Sequence, residues 1–153
     1  MKISDLMTKS PQCATADTNL TDVARMMIDC DCGAVPVVGD PLTRLPVGMV
    51  TDRDIVVRAI AAGLDPTVMV ARDVMSTPAI TIRDDMSLRD AIALLEEHQI
   101  RRAIVVDQLG ACVGIVSPAD IAAHSSKRKA GELLQEVSQP WSTGNDVMAY
   151  RRL

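Results

Sequence analysis

Aromatic residues are almost missing from this chain of 153 residues, which has no Phe, one Trp and one Tyr. Binding single-stranded nucleic acid by stacking needs several rings on one surface, so that class is excluded from the body of the fold. The core must instead be built from Val, Ile, Leu, Ala and nine Met. Long apolar runs are missing as well. No stretch approaches membrane-spanning length, and Met1-Lys2-Ile3-Ser4-Asp5-Leu6-Met7 lacks a signal-type apolar run, which points to a cytoplasmic protein with no membrane partner. Basic charge is in deficit: 16 Lys and Arg against 20 Asp and Glu leave a net charge of −4, the wrong sign for a general nucleic-acid surface.

The residues of catalysis are equally sparse. His98 and His124 are the only histidines, and neither has a nucleophile at readable spacing. There is no P-loop and no dinucleotide glycine fingerprint, so no enzyme activity is expected. Four cysteines (Cys13, Cys30, Cys32 and Cys112) include no Cys-x-x-Cys pair and fall short of a tetrahedral zinc site, so no metal is expected. In a reducing compartment they remain thiols, small apolar residues by default.

What is present is a stretch that occurs twice. Val47-Gly48-Met49-Val50-Thr51-Asp52-Arg53-Asp54-Ile55 returns as Val113-Gly114-Ile115-Val116-Ser117-Pro118-Ala119-Asp120-Ile121. In each, an apolar β-type run ends at a hydroxyl residue, and an aspartate follows three positions later. The physical reading is a strand breaking into a helix whose first N–H groups lack internal partners and face an incoming anion. The aspartate then accepts hydrogen bonds from a vicinal diol such as a ribose. Hydroxyl-x-x-Asp is also an ordinary helix cap, and one copy alone would not distinguish the two. Two copies in matching surroundings favour the ligand site.

The repeat extends to both halves: Met7 matches Met75, Leu20 matches Leu88, Asp22 matches Asp90 and Val37 matches Val105. Each half reads as a short extended piece, a helix, two strands and a second helix. In the first half these are 12–15, 20–29 with its cap at 18–20, 34–38, 47–50 and 52–62, stopping at Gly63. In the second they are 79–82, 88–98, 103–107, 112–116 and 118–124. The boundaries follow: a first repeat over 1–63, a linker over 64–73, a second repeat over 74–125 and a tail over 126–153. The tail holds Lys127-Arg128-Lys129, a short helix over 131–137, Trp141 and Tyr150.

The β-α-β-β-α unit, the paired Gly-x-x-Thr/Ser-x-x-Asp motifs and the strand Val35-Pro36-Val37-Val38 resemble the cystathionine-β-synthase (CBS) domain. Two in tandem look like a Bateman module, and residues 49–56, 61–66 and 96–102 are similar to small stand-alone bacterial CBS-pair proteins. The resemblance implies an α+β fold in which the duplicated units form a pseudo-twofold pair, sheets packed between helices. It implies a non-enzymatic regulatory module that senses an adenosine-containing ligand (AMP, ADP, ATP, NAD or S-adenosylmethionine) in clefts between repeats. No cofactor is required, and the adenine nucleotide is a regulatory ligand. A homodimer formed through the helices and a separate effector protein are implied as partners.

Carried over by position, the resemblance joins Thr51, Arg53 and Asp54 with Ile80, Ile100 and Arg101 in one cleft. The other takes Ser117, Ala119 and Asp120 with Gln12, Cys32, Gly33 and Ala34. Arg102 matches a basic position that contacts phosphate in the γ subunit of AMP-activated kinase. The halves differ here, since Gly33-Ala34 stands where the second repeat has Arg101-Arg102, and Ala119 stands where the first has Arg53. A phosphate dianion wants planar charged donors, so the cleft of Asp54 is the one for a phosphorylated ligand. Plainer readings stand beside these. Arg101-Arg102 also reads as a solvated pair at a strand mouth, and Val35-Pro36 as an edge strand. The chain as a whole also reads as a ligand-free interaction dimer, or as a thiol-based stress sensor pairing Cys13 with Cys30 or Cys32.

Overall fold

Each half folds around a strand of consecutive apolar residues, rich in Val and Ile, with no polar face. In the computed structural model, which describes residues 1–98 and 100–124 together with Gln135, these are β3 (Ala34–Val38) and β6 (Ala103–Val106), buried along their whole length. Two flanking strands complete the ladder in the first half: β2 (Ala14–Thr15) runs parallel to β3, and β4 (Pro46–Thr51) antiparallel to it. In the second half β5 (Thr81–Arg83) is parallel to β6, and β7 (Cys112–Val116) antiparallel. Helix α1 (Leu20–Asp29) starts at Asn19, whose side chain accepts the Thr21 N–H at 2.9 Å, and it buries Leu20 and Val23. Its counterpart α4 (Leu88–Glu97) is capped by Ser87 and buries Ala91 and Leu95. The expected helix over 131–137, Trp141 and Tyr150 lie outside the described residues, Gln135 apart.

The packing units are offset from the sequence repeats. The N-terminal residues join the second half: β1 (Thr8–Lys9) pairs antiparallel with β7, and Ile3 donates its N–H to Met86 O at 3.1 Å. Ile3 is fully buried among Ile82, Leu95, Val105 and Ile121, which contributes on the order of 2 kcal/mol. The segment after the first half returns to the first core in the same way. Helix α3 (Ala71–Val74) buries Ala71 and Val74 beside Leu20, Val23 and Val50, and Leu20 N–H donates to Met69 O at 3.0 Å. Both crossings use a glycine. A Cβ on Gly48 would lie 2.7 Å from Ser76 O and 3.0 Å from Met75 Sδ, and one on Gly114 would collide with Met7. The methionine of each lead-in lies over the other half's central hairpin.

A third apolar cluster joins the halves: Val38 with Ile104, Val106 and Cys112, flanked by Cys13, Met49 and Ala79. One expectation needs correction. The helix foreseen as continuous over 52–62 is α2 (Asp52–Ile55) followed by a π-helical turn over Val56–Ile60, with Ala61 N–H reaching back to Val56 O at 2.8 Å. A one-residue loosening of this kind re-aims the side chains that follow it. Helix α5 (Pro118–Ala123) has no such turn.

Candidate functional site

The strand-to-helix turn after β4 is built by Thr51 and Asp54. Asp54 Oδ2 accepts the Thr51 N–H at 2.9 Å and its hydroxyl at 2.8 Å, and Asp54 N–H donates back to Thr51 Oγ1 at 3.1 Å. This is a reciprocal capping box. It uses one carboxylate oxygen, Oδ2. Oδ1 faces Arg58 Nε at 3.7 Å, too long for a hydrogen bond, and among the described residues it accepts none. Arg58 is itself fixed by donating to Val74 O at 3.0 Å and Met75 O at 3.1 Å, the open carbonyls at the end of α3. Asp54 is 9% exposed, the one charged side chain among the buried described residues.

Asp54 and Thr51 line a cleft of about 180 Å³ between the halves. Ile80, Ile100, Arg101 and Arg102 from the second half line the same cleft, together with Met49, Ser76, Pro78 and Ala79. Of the residues assigned by position to this cleft, Thr51, Asp54, Ile80, Ile100 and Arg101 are therefore brought together, with Arg102. Arg53 is not: its side chain is exposed, and it does not line the cleft. Sequence reasoning missed Met49, Ser76, Pro78, Ala79 and Arg58. Only Arg58 had a local signal, an Asp–Arg pair at helical i,i+4 spacing.

The other residue group is less closed. Ser117 and Asp120 repeat the box: Asp120 Oδ2 accepts the Ser117 N–H at 2.8 Å and hydroxyl at 2.7 Å. Ala119 and Gln12 are exposed, and Asp120 is half-buried. Cys32, Gly33 and Ala34 lie beside the Thr51 turn, where Ala34 pairs with Thr51 and Asp52 N–H donates to Gly33 O at 3.1 Å. Among the described residues no hydrogen bond or ion pair joins them to Ser117, Ala119 or Asp120. Arg102 instead reaches across to them, Nη1 lying 3.5 Å from Gly33 O. A Cβ on Gly33 would lie 2.7 Å from Asp52 Oδ2 and 3.1 Å from Arg102 Nη2, so glycine leaves the guanidinium its place.

The thiols are arranged differently from the expected pairing. Cys13 Sγ faces Cys112 Sγ at 3.9 Å, whereas Cys30 is exposed and Cys32 Sγ donates to Ala34 O at 3.3 Å. The sulfur contact of Cys13 is with Cys112, brought near by the two sheets, in place of the expected pairing with Cys30 or Cys32. Among the described residues no three His, Cys, Asp or Glu side chains converge as metal ligands, and no helix is long and apolar enough to cross a membrane.

Two units, each ending a hairpin in a capped helix, with an acidic group and two guanidinium groups lining a shared cleft, match one family model. The CBS-domain model fits residues 3–60 and again 71–127. The chain belongs to the CBS-domain family. Its fold is the α+β CBS pair. It is 35% identical over 136 residues to Hypoxic response protein 1 of Mycobacterium tuberculosis, covering 89% of this chain and 93% of that one. The crystal structure of Hypoxic Response Protein I with two coordinated zinc ions superposes with a TM-score of 0.72 at 36% identity, covering 82% of this chain and all of that chain. CBSX2 in complex with AMP superposes with a TM-score of 0.70 at 25% identity, covering 80% of this CBS pair and 94% of that chain.

Proposed function

We propose that this CBS pair is a non-enzymatic regulatory module that binds an adenosine-containing mononucleotide in the cleft of Asp54. The observation that carries the reading is a buried carboxylate, Asp54, whose Oδ1 accepts no hydrogen bond among the described residues, lining the same cleft as Arg101 and Arg102. In this reading Oδ1 accepts from the ribose hydroxyls, and Met49, Ile80 and Ile100 contact the base. The half-buried Arg102 and the exposed Arg101 at the rim meet the phosphate. The AMP complex of CBSX2, a protein of the same architecture, supports the ligand class.

The ligand acts by holding one arrangement of the two halves, and the signal passes to a separate effector protein. A second copy packs on the exposed row Val56, Ile60 and Leu64, which follows the turn of the site. Sedimentation tests that face: a dimer in the wild type that Ile60→Glu converts to monomer supports it, and a monomeric wild type refutes it. The nucleotide reading is tested by calorimetric titration with AMP, ATP, NAD and S-adenosylmethionine. Saturable binding of AMP, weakened about tenfold or more in Arg101→Ala/Arg102→Ala through loss of charge-assisted hydrogen bonds, is expected. No binding of any of the four by the wild type would sink the reading.

A further inference from the structure

Among residues that do not line the cleft, three groups from distant parts of the chain meet at one point. Cys13 precedes β2 of the first half, Cys112 opens β7 of the second, and their sulfurs stand 3.9 Å apart across 99 residues of sequence. Arg44, from the loop between β3 and β4, closes over them. Its Nη2 donates to Cys13 Sγ at 3.3 Å and to Pro11 O at 2.9 Å, and its Nε to Cys112 O at 3.0 Å. Arg44 O accepts the Cys112 N–H at 2.9 Å. These contacts hold Arg44 at φ +55°, a backbone region that non-glycine residues rarely occupy. A guanidinium pinned in this way favours a thiolate at the pair and opposes a bound cation.

We propose that Cys13 and Cys112 are an oxidative modification site, a dithiol that a hydroperoxide converts to a disulfide linking the two halves. The proposal is independent of the nucleotide reading. Electrostatics supports it: the hydrogen bond from the Cys13 thiol, followed by the charge of Arg44, brings Cys112 down to about 7. The same hydrogen bond, with burial, holds the proton on Cys13 well above the usual thiol range. The pair thus loses one proton readily and shares the other across the S–H···S contact.

Cys112 is buried and Cys13 half-buried, so the oxidant enters at Cys13. Transfer of the shared proton across the S–H···S contact leaves Cys112 protonated and Cys13 as the thiolate, which attacks the outer oxygen of the hydroperoxide: an S–O bond forms, the O–O bond breaks, and the alcohol leaves with a solvent proton. Cys112 then attacks the Cys13 sulfenic acid; the S–O bond breaks, the S–S bond forms, and water departs with the Cys112 proton. The sulfurs must close by roughly 2 Å from their 3.9 Å separation to reach bonding distance.

The test is hydrogen peroxide treatment of the full chain, followed by thiol titration and peptide mapping without reduction. The wild type should fall from four free thiols to two, with a single Cys13–Cys112 crosslinked peptide and a higher urea midpoint. Cys30→Ser/Cys32→Ser should keep the crosslink, Cys13→Ser should lose both the crosslink and the stabilisation, and Arg44→Gln should slow bridging several-fold. Cys13→Ser replaces a half-buried side chain, so it keeps the test valid where Cys112→Ser fails to fold. A wild type that retains all four thiols, or whose only bridges join Cys30, Cys32 or separate chains, overturns the proposal.

Discussion

The two strand-to-helix turns of this protein share one local structure but sit in different surroundings. Thr51–Asp54 and Ser117–Asp120 close the same box at nearly the same distances. Around Asp54 the helix loosens into a π turn, Arg58 reaches back to the carboxylate, and two arginines of the other half line the same cleft. At the corresponding place, His124 turns its Nδ1 to Asp120 O at 2.9 Å, and Gly33-Ala34 occupy the positions that match Arg101-Arg102. The repeated motif is therefore a folding device in both halves. Any ligand specificity lies in what surrounds it.

The largest expected difference between the turns is in nucleotide affinity. Asn at position 54 still accepts the Thr51 N–H, so Asp54→Asn keeps the turn while removing the charge. A hydrogen bond to a charged group is worth about 1.5–3 kcal/mol, so AMP affinity should fall on the order of 10- to 100-fold. Asp120→Asn should leave AMP affinity within about twofold, since its loss touches no group of the proposed site. Calorimetry on the two variants decides, and equal losses would move the ligand to a site that uses both aspartates.

The glycines of the two crossings should differ next, in stability. A Cβ on Gly48 meets a backbone carbonyl, Ser76 O, itself held by the Met49 N–H at 3.1 Å. On Gly114 the nearest obstacle is the flexible side chain of Met7. Overpacking costs about 1–3 kcal/mol, so Gly48→Ala should lie near the upper end, about 2–3 kcal/mol, and Gly114→Ala near 1 kcal/mol in urea unfolding. The reverse order would mean that the lead-in over β7 is the more rigid of the two.

Much of this was legible because it is local. Helix α1 and strands β3 and β7 have the bounds that apolar period and flanking turn residues indicate, and the duplication made the hairpin pairing readable twice. The exchange of lead-ins was not legible. Strand β1 has two residues, too few for a period to show, and the burial of Ile3 depends on a partner sheet built from the far end of the chain. The meeting of Cys13 with Cys112 is of the same kind: the expected cleft edge pointed to Cys30 and Cys32, and only the packing of the two sheets brings Cys112 near. Thr51 and Asp54 could be located by their motif, but the surroundings of Asp54 Oδ1 need Arg58 and the end of α3. Arg53, one residue from the aspartate, is carried by a single helical step to an exposed position outside the cleft lining.

The smallest expected effect separates cap from site most cleanly. Thr51→Ala and Ser117→Ala each delete the hydroxyl of a capping box, which costs about 1 kcal/mol of stability, so the two should unfold at similar urea concentrations. Their effects on AMP should part. Without the Thr51 hydroxyl, Asp54 Oδ2 keeps the backbone N–H but loses the second donor that fixes the carboxylate plane, and Oδ1 is held less firmly. A loss of about three- to fivefold in affinity, or ~0.7–1 kcal/mol, is expected for Thr51→Ala and none for Ser117→Ala. In an Asp54→Asn background the Thr51→Ala loss should shrink, because the charge is gone, and a double-mutant cycle measures that coupling directly. A cycle with no coupling would mean that Thr51 supports the helix alone, and that whatever fixes the carboxylate comes from Arg58.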